Sequence, residues 1–175
     1  MNLLQHNMHG FRAHENYLKL LMSKTSADIV LLNETFGTPN VDFNVPGFLS
    51  FTSHRPSDPA KPSSIGGGAA ILVRDNIQVI KVFHPSAVGS EWVGVTINLS
   101  SGQNLTILTG YSPPTIELDM DIILAANDMG PCIAAGDFNA KHVDLGNRST
   151  NKSGPLLKAL VDSGVMKILN DDTPT

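Results

Sequence analysis

Pro131-Cys132-Ile133-Ala134-Ala135-Gly136-Asp137-Phe138-Asn139-Ala140-Lys141-His142 is the stretch on which the fold reading turns. Cys132 to Ala135 is a short apolar run that reads as a buried strand. It ends at a glycine, then delivers an acid, an aromatic, an amide, a base and a histidine. A strand buried on both faces is fixed by packing, so polar groups at its C-terminal lip are held rigidly. Gly136 permits a bend or a close backbone approach. Asp137 and Asn139 stand two apart, and side chains two apart on a strand point the same way. A carboxylate that accepts a proton from water, beside an amide that donates to an anion, suits hydrolysis. Gly, Asp and Asn are equally ordinary turn formers, so the other strand ends must decide between a turn and a site.

Toward the N-terminus, Leu3 to His6 reads as a short strand followed by the polar, turn-like Asn7-Met8-His9-Gly10. Tyr17, Leu18, Leu20, Leu21 and Met22 give residues 13–23 the spacing of an amphipathic helix. Ile29 to Leu32 is a continuous apolar run, a central strand that stops at Asn33-Glu34-Thr35. Residues 37–68 are rich in Pro, Gly, Asn and Ser and read as a loop holding one short strand at 48–51. Such a length is unusual inside a compact domain and points to a functional or moving segment.

Gly66-Gly67-Gly68 leads into a strand at 69–73, and Asp75-Asn76 turns the chain back along 77–82 as a hairpin. Residues 91–99 and 105–108 form a second hairpin around Ser100-Ser101-Gly102, which Gly110-Tyr111-Ser112-Pro113-Pro114 breaks. A helix follows at 116–126, with Glu117, Asp119 and Asp121 near its positive end. Beyond the opening stretch, 153–161 reads as a helix with Gly154-Pro155 at its start, and Val165 to Leu169 as a last strand. Hairpins beside helical crossovers predict an α/β protein, a two-layered sandwich of mixed sheets flanked by helices rather than a purely parallel sheet.

The 175 residues fit one domain, 1–175, with a real core. Hydrophobic residues make up 41% and mean hydropathy is +0.01, the balance of a globular chain. No apolar run nears the ~18 residues that span a bilayer, so no membrane partner is expected, and no basic n-region marks a secretory signal. The lone Cys132 cannot close an internal disulfide, which suits a reducing compartment. A net charge of −4 argues against a protein that grips nucleic acid mainly by a basic surface. It leaves room for an enzyme that touches a few phosphates and brings a metal cation to the site.

Several strands share one ending: Asn7 after the first, Glu34 after the second, Tyr111 after the second hairpin, and Asp137 with Asn139 after the opening strand. In open α/β sheets ligands gather where strand C-termini converge. Each residue alone is an ordinary rim or turn residue. Together they supply an acid for a divalent cation, amides and a phenol for phosphate oxygens, and a carboxylate for water. Few chemistries need all of them, and metal-assisted phosphodiester hydrolysis is the best match.

Five segments carry a more specific resemblance: Gln5-His6-Asn7, Leu31-Leu32-Asn33-Glu34-Thr35, Gly66 to Val73, Gly110 to Pro114, and Gly136-Asp137-Phe138-Asn139-Ala140-Lys141-His142. Asn151 with Gly154 and Leu157, then Leu169-Asn170-Asp171-Asp172-Thr173-Pro174-Thr175, continue the same order. The chain resembles the endonuclease/exonuclease/phosphatase superfamily. Within it, the likeness is to the apurinic/apyrimidinic-endonuclease-like domain at the N-terminus of non-LTR retrotransposon polyproteins.

The resemblance implies a deoxyribonuclease I-like fold and Mg²⁺, with Mn²⁺ as a substitute. Glu34 would be a metal ligand and Asn7 would stand beside metal and substrate. Tyr111 would contact the scissile phosphate, Asp137 would orient or deprotonate the attacking water, and Asn139 would steady the phosphate. His142 is carried over as a substrate-proximal residue beside Lys141, and His9 stands where some relatives have a carboxylate near the metal. The implied partners are double-stranded target DNA and a reverse transcriptase in the same parent chain, in the nucleus. Residues 37–68 are a candidate contributor to target readout.

Family members continue into two further strands and a Ser-Asp-His triplet absent from this sequence. The expectation is a domain incomplete at its C-terminus, lacking its last strands and impaired in cleavage. The same motif wording also permits a phosphoinositide phosphatase, a sphingomyelinase-like phospholipase, or an inactive truncated copy.

Overall fold

Alternation along the central strands sets the layers. In β2 (Ile29–Asn33) and β4 (Ala69–Arg74), Ile29, Leu31, Ile71 and Val73 face one way and Val30, Leu32, Ala70 and Leu72 the other, all fully buried. Strands buried on both faces must lie between two apolar layers. The computed structural model describes residues 1–38, 43–55 and 66–170. Parts of the long loop (39–42 and 56–65) and the terminal 171–175 of the Asn-Asp-Asp-Thr-Pro-Thr wording lie outside the described residues.

One sheet has the order β1-β2-β4-β3, with β1 spanning Leu3–Asn7 and β3 Phe48–Ser53. β1 and β2 are parallel and the other pairs antiparallel. The second sheet comprises β5 (Val79–Phe83), β6 (Glu91–Asn98), β7 (Asn104–Tyr111) and β8 (Cys132–Asp137), in that order. Here only β7 and β8 are parallel. Ile29, Leu31, Ile71 and Val73 meet Val93, Val95, Ile97 and Ile107 between the sheets. Burying each such side chain stabilises by about 1.5–3 kcal/mol.

Helix α1 (Phe11–Thr25) covers the outer face of the first sheet, and α2 (Met120–Asn127) that of the second. A third helix, α3 (Ser153–Asp162), follows a 3-10 turn at Val143–Leu145. The architecture is the mixed sandwich flanked by helices that the sequence predicts. Among the described residues no helix is long and apolar enough to cross a membrane.

Three sequence expectations need correction. Residues 69–82 are not a hairpin: β4 already has β2 and β3 on its two edges, so the chain crosses to the other sheet, where β5 pairs with β6. Helix α1 starts at Phe11 and buries Phe11, Leu18 and Met22, leaving Tyr17 and Leu20 about half exposed. The stripe facing the core is narrower than the apolar residues of this segment imply. Residues 165–169 form no strand. Met166 N–H donates to the Leu160 carbonyl, a closure of α3 rather than a ladder, and Leu169 is exposed.

Cys132 starts β8 half-buried, and desolvation pushes its thiol up to about 11 from 9.0. The rise leaves much less thiolate at neutral pH, and the thiolate is the nucleophile. Alkylation by iodoacetamide at pH 7.5 is therefore expected to be slower than for free cysteine by roughly tenfold, because a thiolate of higher pKa is also the stronger nucleophile, and to speed up once the chain is unfolded in urea.

Candidate active site

Two pairs of parallel strands bring their polar ends to one level. Asn7 lies opposite Asn33 across β1 and β2, so Glu34 leaves β2 one residue beyond that rung. Tyr111 lies opposite Asp137 across β7 and β8 in the other sheet. Buried Asn33 ties the pairs together. Its Nδ2 donates to the Gly110 carbonyl at 2.8 Å and to Thr109 Oγ1 at 3.4 Å, and its Oδ1 accepts from Gln5 Nε2 at 2.9 Å. Across the resulting lip, Asn7 Nδ2 donates to Asp137 Oδ2 at 3.4 Å. Asn33→Leu removes all three of these bonds at a fully buried position, and each buried polar group left without a partner costs about 1–3 kcal/mol. Urea denaturation should show a loss of that size with an unchanged m-value.

The loop after β8 is shaped by amides. Asp137 Oδ1 accepts from Asn139 N–H at 3.3 Å, and Asn139 Nδ2 donates to the Ser112 carbonyl at 3.0 Å. Asn151, from the approach to α3, donates to the Asn139 carbonyl, while its Oδ1 accepts from the N–H groups of Lys141 and Gly154, both at 3.0 Å. A Cβ on Gly136 would overlap the Gly110 carbonyl oxygen, so the close approach expected at this glycine is to β7.

His9, Glu34 and Asn139 hold φ of 44°, 49° and 46°. Left-handed backbone costs a non-glycine residue about 1–3 kcal/mol and persists only where the surroundings impose it. Around Glu34 they do: Met8, Gly10 and Phe11 N–H groups bond the carbonyls of Asn33, Glu34 and Thr35 at 2.8–2.9 Å.

The lip is acidic and partly dry. Burial raises the Asp137 carboxyl above its ordinary range; nearby Glu34 adds to the rise, while Asn139 N–H, Asn7 and Lys141 oppose it. Burial also raises the Tyr111 phenol, with Glu34 and Asp137 reinforcing and Arg55 opposing. His9 Nδ1 lies 3.2 Å from Glu34 Oε2, so the histidine in place of a carboxylate does touch the acid.

Thus Asn7, Asp137 and Asn139 are joined by hydrogen bonds, and Glu34 and Tyr111 stand within electrostatic reach of Asp137. His142 makes none of these bonds: its Nδ1 accepts from Asp144 N–H at 3.1 Å and caps the 3-10 turn.

Two residues at this lip escape sequence reasoning. Arg55, just past β3, bonds Glu91 Oε1 through Nε at 2.7 Å, and its guanidinium lies 5.7 Å from the centroid of the Tyr111 ring. Glu91 is only 2% exposed. The available signal was a charge heading the otherwise apolar run Trp92-Val93-Gly94-Val95, since a buried carboxylate requires a partner.

The model of the Endonuclease/Exonuclease/phosphatase family matches residues 4–174. The RNA-directed DNA polymerase from mobile element jockey of Drosophila melanogaster is 26% identical over 172 residues, 97% of this chain and 18% of that protein. The chain therefore spans 18% of the length of the curated relatives it matches. Among solved structures, the endonuclease domain of TRAS1, a telomere-specific non-LTR retrotransposon, superposes with a TM-score of 0.69 at 21% identity, covering 99% of this chain and 77% of that one. The Xenopus laevis APE2 catalytic domain gives 0.64 at 18% identity, covering 91% and 67%. Both share the sandwich of two mixed sheets flanked by helices.

Proposed function

The chain belongs to the endonuclease/exonuclease/phosphatase family, and from that membership we propose that it is a metal-dependent DNA endonuclease domain of a non-LTR retrotransposon polyprotein. In this reading it nicks double-stranded target DNA to prime reverse transcription by a polymerase in the same polyprotein. The observation that carries the reading is the Asn7–Asp137 bond, because it joins strand ends from opposite sheets into one polar lip. The jockey polymerases and the TRAS1 endonuclease domain support the retrotransposon assignment.

The donor set fits a hard divalent cation. Glu34, Asn7 and Asp137 offer oxygens, and Mg²⁺ takes one or two protein carboxylates with water and substrate phosphate completing its shell. Among the described residues no group of three or more His, Cys, Asp or Glu could hold a metal ion. Glu34 and Asn7 are the residues assigned to hold the cation. When bound, the cation polarises a phosphate oxygen and offsets the charge that develops there.

The remaining work falls to the side chains. Asp137 accepts a proton from the attacking water, whose oxygen forms the new bond to phosphorus as the bond to the leaving oxygen breaks. Asn139 and the Tyr111 phenol donate hydrogen bonds to the phosphate oxygens, whose charge grows in the transition state. Asn7 donates to Asp137 and keeps the carboxylate aimed at the water.

The test is single-turnover nicking of supercoiled plasmid with protein in excess, which keeps slow cleavage measurable, with Mg²⁺ or EDTA. A parallel assay follows phosphate release from inositol phospholipid vesicles. Mg²⁺-dependent open-circle product, lost in Glu34→Ala together with calorimetric Mg²⁺ binding, is the expected result. Lipid phosphate release without nicking would replace the nuclease reading with the phosphatase one.

A further inference from the structure

Glu91 is the buried carboxylate that the cleavage chemistry leaves unused. Both its oxygens are occupied: Oε1 by Arg55 Nε at 2.7 Å, Oε2 by Arg55 Nη2 at 3.4 Å and by Gly68 N–H at 3.2 Å. Two parallel contacts fix the plane of a guanidinium, not only its position. A Cβ on Gly67, whose φ is +72°, would overlap Arg55 Nη2, so the glycine run makes room for this clamp.

Glu91 also lies directly opposite Tyr111 across β6 and β7. One rung of the ladder thus sets the clamp, and the clamp holds the guanidinium beside the phenol ring. Apolar pairs of similar volume often replace buried ion pairs at little cost in stability. They could not present a rigid, planar donor fork to a phenol at the lip.

We propose that Arg55 is a positioning residue: gripped by Glu91, it fixes the Tyr111 phenol in the orientation that meets the substrate phosphate. The role rests on the nuclease reading in one respect, that Tyr111 meets a phosphate. Glu91 neutralises the Arg55 charge, so Arg55 acts through direction rather than long-range attraction. In Arg55→Ala/Glu91→Gln, where both charges go together, kcat falls while KM and the salt dependence of KM stay nearly unchanged.

The chain has two tyrosines, so Tyr17→Phe leaves Tyr111 as the sole site for 3-fluorotyrosine, read by ¹⁹F NMR at neutral pH. In that background Arg55→Ala should move the resonance. Added ethylguanidinium should return it saturably to the parent position, seated on Glu91. Arg55→Ala/Glu91→Gln, which leaves no unpaired carboxylate, keeps the test available if the single variant unfolds. It should show the moved resonance without recovery. Single-turnover nicking should fall on the order of 10- to 100-fold in both variants, the scale of a misplaced catalytic group. Only Arg55→Ala should be rescued by ethylguanidinium.

An unmoved resonance in the double variant, or a moved resonance with unchanged nicking, would overturn the positioning role. A moved and rescued resonance in a chain that nicks no DNA would instead overturn the nuclease reading while upholding the Arg55–Tyr111 contact.

Discussion

Asp137→Asn is expected to slow single-turnover DNA cleavage by about 10²- to 10⁴-fold, the range a positioned general base supplies. The amide has the carboxylate's shape and still accepts from Asn139 N–H, but it cannot take a proton from water. Circular dichroism should therefore show an intact fold beside the lost rate.

The pH dependence has a defined sign. Burial and Glu34 raise the Asp137 carboxyl, so the native chain binds this proton more tightly than the unfolded chain does. The ionised group costs stability above its folded pKa and nothing below the unfolded value of about 3.9. As pH rises from that value toward neutrality without metal, the stability difference should shift in favour of Asp137→Asn. Over the same interval wild-type cleavage should rise, because the base works deprotonated.

Breaking the buried ion pair should give the largest stability change. Arg55→Ala leaves Glu91, 2% exposed, with a charge and no counterion. Removing one partner of a buried pair costs about 3–5 kcal/mol. The lower end is expected here because the Arg55 side chain keeps 30% of its exposure. Arg55→Ala/Glu91→Gln should recover most of that loss, since the buried charge goes with its partner and Gln keeps an acceptor for Gly68 N–H. Urea melts of wild type, the single variant and the double variant at pH 7 measure both steps, and equal losses in the two variants would contradict the ion-pair account.

Much of this molecule is legible in the chain because burial writes itself locally. Ile29 to Leu32 and Ala69 to Val73 are short, apolar at every position and flanked by polar or glycine residues, so each reads as a strand covered on both faces. The polar residue that ends such a run marks the sheet's lip, which is how Asn7, Glu34, Tyr111 and Asp137 stand out. What resists reading is pairing. Residues 77–82 look like the return arm of a hairpin, and nothing local reveals that both edges of β4 are already filled. Val165 to Leu169 has strand composition but no ladder to join.

Arg55 and Glu91 are harder still, since 36 positions separate them and neither belongs to a periodic pattern. Their meeting is a property of the assembled sandwich. So is the covering of α1, where Phe11, Leu18 and Met22 reach the sheet and the equally apolar Tyr17 and Leu20 do not.

A double-mutant cycle on cleavage, Asn7→Ala with Asp137→Ala, addresses the convergence of the strand ends most directly. The two residues come from different sheets and are joined by the 3.4 Å bond across the lip. Residues that act as a unit lose their effect together, so the double variant should be no more than about threefold slower than the worse single variant. Rate losses that multiply in full would mean that Asn7 and Asp137 work at separate places, and the site as described would not exist.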